Sequence, residues 1–91
     1  MNGIEIIIPV KNESLSVPLL AERIDNTLKN AAIPYRMIFV DDGSTDGTVS
    51  VIENLSDRYP IKLHRRQGRA GKAYCILQGA QLATADYVVM I

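Results

Sequence analysis

The sequence has one cysteine, no surplus of charge and no long apolar run, and each of these absences excludes a class of protein. The single thiol, Cys75, has no partner for an internal disulfide or a thiolate metal site, which fits a reducing compartment. Ten basic and ten acidic residues cancel, which disfavours nucleic acid as a partner. No segment approaches the roughly 18 apolar residues of a membrane span. We therefore expect one small, soluble, cytoplasmic domain.

The sequence does contain a regular alternation of two hydrophobic periodicities. Residues 4–10 (IEIIIPV) are almost wholly apolar and β-branched, which is typical of a strand buried on both faces. Similar runs predict strands at 35–40, 61–65 and 87–91. Three helices are predicted between the strands, with Ser16 and Asp46 as N-caps of the first two. Their inward faces are predicted to carry Leu20, Ile24 and Leu28, then Val49, Ile52 and Leu55, then Ile76, Ala80 and Ala83. This βαβαβαβ pattern predicts a parallel sheet with helices on both faces.

Polar side chains follow three of the predicted strands at the point where each strand ends. They are Asn12 and Glu13 after the first strand, Asp41 and Asp42 after the second, and Arg65 and Arg66 after the third. Because ligands of parallel α/β sheets bind beyond the carboxyl ends of the strands, these residues indicate a binding site.

Three familiar loop motifs do not fit the sequence. GRAGKA at 68–73 resembles a phosphate loop, but Arg66 and Ala73 stand where a Walker sequence has Gly and Ser or Thr. The glycines also lack the spacing and the position of a dinucleotide fingerprint. DGSTDGTVSVIE at 42–53 nearly matches a calcium loop, yet a strand and not a helix precedes it.

The acids at the end of the second strand suit a nucleotide. A carboxylate there can accept hydrogen bonds from a ring N–H group or from a ribose diol. Gly43 would let the backbone pass close to a flat ring, and Ser44 and Thr45 would hold the turn. Asp46 is better explained as a helix cap than as a ligand. One or two of the acids are therefore expected to bind the ligand.

Three motifs in this order carry a resemblance to a known family. They are PVKNE at 9–13, VDDGSTDGT at 40–48 and RRQGRAGKAY at 65–74, followed by QGAQLATADYVVMI. Together they resemble the N-terminal half of a family 2 glycosyltransferase of the GT-A fold, most closely the dolichol-phosphate mannosyltransferase branch. The resemblance covers essentially all of residues 1–91, which would form a single partial domain with a Rossmann-like sheet of order 3-2-1-4.

The resemblance implies a nucleoside diphosphate sugar as ligand, GDP-mannose or a UDP-hexose, and a polyprenyl phosphate as acceptor of the whole enzyme. The residues implied to contact the nucleotide sugar are Pro9, Lys11, Glu13, Val40, Asp41 and Asp42. Lys11 stands where the branch usually has a tyrosine, which leaves the donor preference open. Arg66, Gly71 and Lys72 are candidates for phosphate binding near the start of the third helix, although a solvated loop explains them equally well.

The resemblance also implies a divalent metal, Mg²⁺ or Mn²⁺, held by an Asp-x-Asp motif. The sequence stops at Ile91, just before the position of that motif, so residues 1–91 are expected to transfer no sugar. The whole enzyme is expected at the cytoplasmic face of a membrane. The apolar edge strand at 86–91 predicts self-association. Two alternatives stay open at this point: a nucleotide-binding or structural module without activity, and a receiver-like phosphoacceptor domain.

Overall fold

The computed structural model describes residues 3–66, 72–83, 85 and 87–90. It confirms the expected order of elements, and the bounds of the four strands lie within one residue of those predicted. Ile91, the predicted end of the last strand, lies outside the described residues. The elements are β1 (Ile4–Val10), α1 (Val17–Asn30), β2 (Tyr35–Asp41), α2 (Thr48–Leu55), β3 (Ile61–Arg65), α3 (Lys72–Leu82) and β4 (Tyr87–Met90).

The strands form one parallel sheet in the order β3-β2-β1-β4, as expected. β1 and β2 occupy the centre, and their side chains are almost all buried. Strands buried on both faces must be apolar throughout, which is why these two show no polar alternation. None of the helices in the described part of the chain combines the length and the apolar character needed to cross a bilayer.

Helices cover both faces of the sheet. On one face, α1 and α2 pack over the larger core, which includes Ile6, Ile8, Met37 and Phe39. On the other face, Leu82 at the end of α3 and the adjacent Ala83 pack on a smaller cluster made by Ile7, Ile38 and Val40. A fully buried side chain of this size stabilises the fold by about 1.5–3 kcal/mol.

The inward face of α3 differs from the prediction. Ala80 was expected to face the sheet, but it is exposed, and Gly79 is buried instead. A Cβ atom added at Gly79 would lie 2.4 Å from Cγ2 of Ile7, so α3 approaches β1 too closely for any side chain there. The prediction failed because glycine carries no hydrophobic signal, although it marks the closest contact between helix and sheet.

At the end of the sheet opposite the carboxyl edge, buried polar groups form hydrogen bonds between strands and from a strand to α1. Glu5 is fully buried in β1 and accepts hydrogen bonds from Arg36 of β2 and from the backbone N–H of Ala85. Tyr35 donates its hydroxyl hydrogen bond to Asp25, a buried residue of α1, and Lys29 lies 3.3 Å from the same carboxylate. Each of these buried charges has a partner, as the cost of burying an unpaired charge requires.

We predict that Tyr35→Phe lowers the free energy of unfolding by about 1–3 kcal/mol, because a buried hydrogen bond to a charged acceptor is lost. Urea denaturation measures the difference. Tyr59→Phe is the matched control, since the contact between its ring and the guanidinium of Arg58 survives the change. An equal loss in both variants would show that the hydroxyl of Tyr35 contributes nothing specific.

The same bond has a pH dependence. Burial, followed by the hydrogen bond to Asp25, raises the pKa of Tyr35 above its usual value. The unfolded chain therefore loses this proton at a lower pH than the folded chain does. The stabilisation by the Tyr35 hydroxyl is fully present below about pH 10 and decreases as the pH rises above it. The difference in stability between the natural chain and Tyr35→Phe should narrow above that pH.

Candidate functional site

The parallel sheet brings the predicted polar residues to one edge. Val10 at the end of β1 pairs with Asp41 of β2, and Asp41 pairs with Arg65 of β3. The loops that leave these strands, 11–16 and 42–47, therefore start side by side. The sequence prediction that the polar groups meet at the carboxyl edge is confirmed by this register.

Asn12 joins the two loops. Its backbone is in the left-handed region (φ 54°), which asparagine tolerates better than most residues. Its side-chain oxygen accepts hydrogen bonds from the backbone N–H groups of Thr45 (2.8 Å) and Asp46 (3.3 Å). Its own backbone N–H donates to Oγ of Ser44 (2.9 Å). The sequence predicted Asn12 at this edge but not among the residues that contact the nucleotide sugar, and in the structure it cross-links the two loops.

Asp41 stabilises the turn at the start of the second loop. Its carboxylate is buried and accepts hydrogen bonds from the backbone N–H groups of Gly43 (3.2 Å) and Ser44 (3.1 Å) and from the hydroxyl of Ser44. Gly43 is in the left-handed region (φ 89°), where a side chain would be strained. The acid predicted to touch a ligand therefore holds the turn that follows it.

Asp42 is the neighbouring acid, and Arg66 holds it. Nε and Nη2 of Arg66 donate to Oδ1 of Asp42 at 2.9 and 2.7 Å. The side chain of Arg66 is 3% exposed and that of Asp42 is 13% exposed. Backbone hydrogen bonds hold both partners in place. The N–H of Asp42 donates to the carbonyl oxygen of Val10 (2.9 Å), and the N–H of Arg66 donates to the carbonyl oxygen of Asp41 (2.8 Å). Arg66 was predicted to bind phosphate, but its guanidinium group lies buried against Asp42.

The cap predictions for the first two helices are only partly right. Ser16 occupies the N-cap of α1, but its hydroxyl donates to Oε2 of Glu13 (3.0 Å) and makes no capping bond. Gly47 is the N-cap residue of α2, and the preceding Asp46 accepts the N–H of Thr48 (2.9 Å). Hydrogen bonds from the hydroxyl and then the N–H of Thr48 lower the pKa of Asp46. Asp46 thus satisfies the start of α2, as a cap does.

Thr48 links this cap back to the first loop. Its hydroxyl donates to Asp46 and accepts the backbone N–H of Glu13 (2.9 Å). Glu13 follows Asn12, so one of two consecutive residues of the first loop is bonded to the second loop and the other to the first residue of α2. A ligand at this edge would meet a surface whose backbone is already ordered.

The remaining predicted residues differ in how they could reach a ligand. Lys11 and Glu13 are exposed at the edge, Pro9 is half-buried, and Val40 is fully buried in the core cluster under α3. Gly71 lies outside the described residues, as does the side chain of Lys72. No group of three metal-binding side chains occurs within the described part of the chain. The described residues therefore offer no fit for the expected divalent metal.

The chain matches the model of the family described as "Glycosyl transferase family 2" over residues 5–91. Two relatives are similar over almost the whole chain. It is 34% identical over 88 residues to a dolichol-phosphate mannosyltransferase of Pyrococcus furiosus, covering 97% of this chain and 24% of the relative. It is 33% identical over 96 residues to an undecaprenyl-phosphate 4-deoxy-4-formamido-L-arabinose transferase of Proteus mirabilis, covering 100% of this chain and 28% of the relative.

A solved structure is similar in fold. It is a mannosyltransferase of Pyrobaculum calidifontis in complex with GDP-Man and Mn²⁺, with a TM-score of 0.69 and 30% identity. The match covers 89% of this chain and 24% of that protein. The chain thus spans about a quarter of the length of the proteins that it resembles.

We predict that Asn12→Gly speeds hydrogen exchange at the amides of Thr45 and Asp46 and destabilises the fold by about 1–2 kcal/mol. The change keeps the left-handed backbone available and removes only the side-chain acceptor. Asn12→Ala should cost roughly 1 kcal/mol more, because alanine is strained in that conformation. Asn26→Ala, at an exposed position of α1, is the control. Unchanged exchange in Asn12→Gly would contradict the cross-linking role.

Proposed function

The chain belongs to glycosyl transferase family 2, and we propose that residues 1–91 form the part of the enzyme that binds the nucleotide of its sugar donor. Family membership removes the receiver-like alternative. The proposal for the ligand rests on one observation, the carboxylate of Asp42 held by Arg66 at the carboxyl edge of the sheet.

The chemistry of Asp42 favours a base with a ring N–H group. A carboxylate only accepts hydrogen bonds, so a ligand group that binds it must be a donor. Guanine and uracil carry a ring N–H on the edge that pairs in nucleic acids, whereas adenine and cytosine carry a ring acceptor there. We therefore propose GDP or UDP as the nucleotide of the donor.

The hydrogen bonds that hold the two loops in place support this assignment. Asp41 and Asn12 hold the segment 42–46 before any ligand arrives, so little entropy is lost when Asp42 receives a hydrogen bond. The exposed Glu13 lies on the adjacent loop, where it could accept from a ribose hydroxyl. Asp41 and Val40 support the site from below, since both are buried.

The relatives support a proposal for the sugar and the acceptor. The two mannosyltransferases, one of them in complex with GDP-Man and Mn²⁺, favour a hexose as the transferred sugar. The dolichol-phosphate and undecaprenyl-phosphate enzymes favour transfer to a polyprenyl phosphate. We propose this reaction, with a divalent metal, for the whole enzyme at the cytoplasmic face of a membrane. When bound, the metal would stabilise the departing diphosphate. The groups described at the edge hold the base end of such a donor, so we propose that residues 1–91 bind it without transferring the sugar.

We also propose that the chain self-associates through β4, which forms one edge of the described sheet. Beside it lies an open groove of about 290 Å³, lined by Ile4, Ile6, Ile24, Leu28 and Val89 together with parts of Arg23 and Thr27. A partner at this edge must pair a strand with β4 and cover the groove with apolar side chains. The β4 strand of a second copy offers both, because antiparallel pairing about a two-fold axis brings the two Val89 side chains to the same face.

We predict that Asp42→Asn weakens the binding of GDP or UDP by roughly 1–3 kcal/mol, because the neutral amide is a poorer acceptor than the carboxylate. Isothermal calorimetry with GDP, UDP, ADP and CDP measures the effect. The natural chain should prefer GDP or UDP over the other two.

Asp57→Asn, at an exposed position after α2, is the matched control and should bind as the natural chain does. Equal affinity of the Asp42 variant and the natural chain would remove Asp42 from the site. In the same samples, GDP-mannose with Mn²⁺ should yield no free GDP, and metal-dependent release would contradict the proposal of binding without transfer.

We predict concentration-dependent dimers in sedimentation equilibrium, and we expect Val89→Lys to shift them to monomers because a charge on an edge strand opposes pairing. Leu77→Lys changes a side chain on α3 that is similarly exposed and serves as control. A natural chain that stays monomeric at high micromolar concentration would refute this interface.

A further inference from the structure

Glu13, in the loop after β1, is held by hydrogen bonds at its backbone and at its side chain. Its backbone N–H donates to the hydroxyl of Thr48 (2.9 Å). Its carbonyl oxygen accepts the backbone N–H groups of Ser16 (3.1 Å) and Val17 (3.0 Å), where α1 begins. Its carboxylate accepts the hydroxyl of Ser16 through Oε2 (3.0 Å). Exposed glutamates keep much rotamer freedom, whereas these bonds restrict both the backbone and the side chain of Glu13.

The hydroxyl of Ser16 is not used to cap the helix. A serine at an N-cap ordinarily accepts the N–H of the second or third residue of the helix. The second residue of α1 is Pro18, which has no N–H, and the side chain of Ser16 makes no capping bond. It donates to Glu13 instead. Helix stability therefore does not explain this hydroxyl, and the orientation of the Glu13 carboxylate does.

The carboxylate of Glu13 differs from the two acids at the end of β2. Asp41 is buried and accepts the N–H groups of its own turn, and Asp42 lies against Arg66. Glu13 is exposed, and no group among the described residues is hydrogen-bonded to its Oε1. A carboxylate oxygen of this kind can accept a hydrogen bond from a ligand hydroxyl. In a nucleoside diphosphate, the neutral hydroxyl groups are those of the ribose.

We propose that Ser16 is a positioning residue of the donor site, which orients the Glu13 carboxylate so that Oε1 accepts a hydrogen bond from a ribose hydroxyl. The site thereby selects ribonucleotides over deoxyribonucleotides. The inference rests on the proposed function, because Asp42 must hold the base beside this loop. The backbone brings the loop there, since the N–H of Asp42 donates to the carbonyl oxygen of Val10 (2.9 Å) at the end of β1. An acceptor that is already oriented loses less rotamer freedom on binding.

Calorimetry with a ribonucleotide and its deoxy forms tests this role. The ligands are GDP or UDP, whichever binds the natural chain more tightly, and the 2′-deoxy and 3′-deoxy forms of the same nucleotide. We expect the ribonucleotide to bind roughly tenfold more tightly than one or both deoxy forms, because these lack a hydrogen bond to a charged acceptor. Ser16→Ala should reduce that ratio to about threefold, since the carboxylate regains its rotamer freedom. Ser16→Thr keeps the hydroxyl and should retain the ratio, and Glu13→Ala should abolish it.

Ser56→Ala is the matched control. The hydroxyl of Ser56 donates to the carbonyl oxygen of Glu53 (2.6 Å) at the end of α2, so its loss should leave the ratio unchanged. If Ser16→Ala weakened the ribonucleotide and the deoxy forms equally, Ser16 would have a structural role only, and the proposal would be overturned.

A second result separates this inference from the proposed function. Equal affinity of the natural chain for the ribonucleotide and both deoxy forms would overturn the role of Ser16 and Glu13. The nucleotide site itself would stand in that case, provided that Asp42→Asn still weakened binding. A natural chain that binds neither GDP nor UDP would reject the nucleotide site, and the positioning role with it.

Discussion

The candidate site depends on the side-chain oxygen of Asn12, which accepts two backbone N–H groups from a loop more than thirty residues away. Loops at the end of a sheet are usually its most mobile part, because few contacts hold them. Here one amide side chain replaces those contacts. The left-handed backbone at Asn12 turns the side chain toward the second loop, so the conformational cost at one residue orders two segments.

Within this frame the two adjacent acids have different roles. Asp41 points into the loop and is satisfied by backbone N–H groups, whereas Asp42 lies against Arg66 at the edge. Alternation along an extended chain separates the two side chains, because successive residues of a strand point in opposite directions. One acid therefore supports the turn, and the other is the acid that we propose as the ligand contact. Family 2 membership agrees with a nucleotide as that ligand.

The buried polar groups at the other end of the sheet serve stability. Glu5 ties β1 to Arg36 and to the connection before β4, and Tyr35 ties β2 to α1 through Asp25. Among the described residues, every buried side-chain nitrogen or oxygen has a partner. Such groups stabilise one arrangement of strands and helices, because any other would leave a charge unpaired. The rigid sheet in turn keeps the ends of β1, β2 and β3 in register at the site.

The sequence by itself determined the element order, the parallel sheet and the edge at which polar residues gather, because hydrophobic period and strand ends are local properties that right-handed crossovers convert into topology. It also carried the family resemblance, on motifs that lie on those edges. Only the tertiary structure decided the partners: Asn12 with the second loop, Arg66 with Asp42, Gly79 against Ile7. These contacts join residues 24 to more than 70 positions apart, and their geometry depends on how helices and loops pack, which no local pattern encodes.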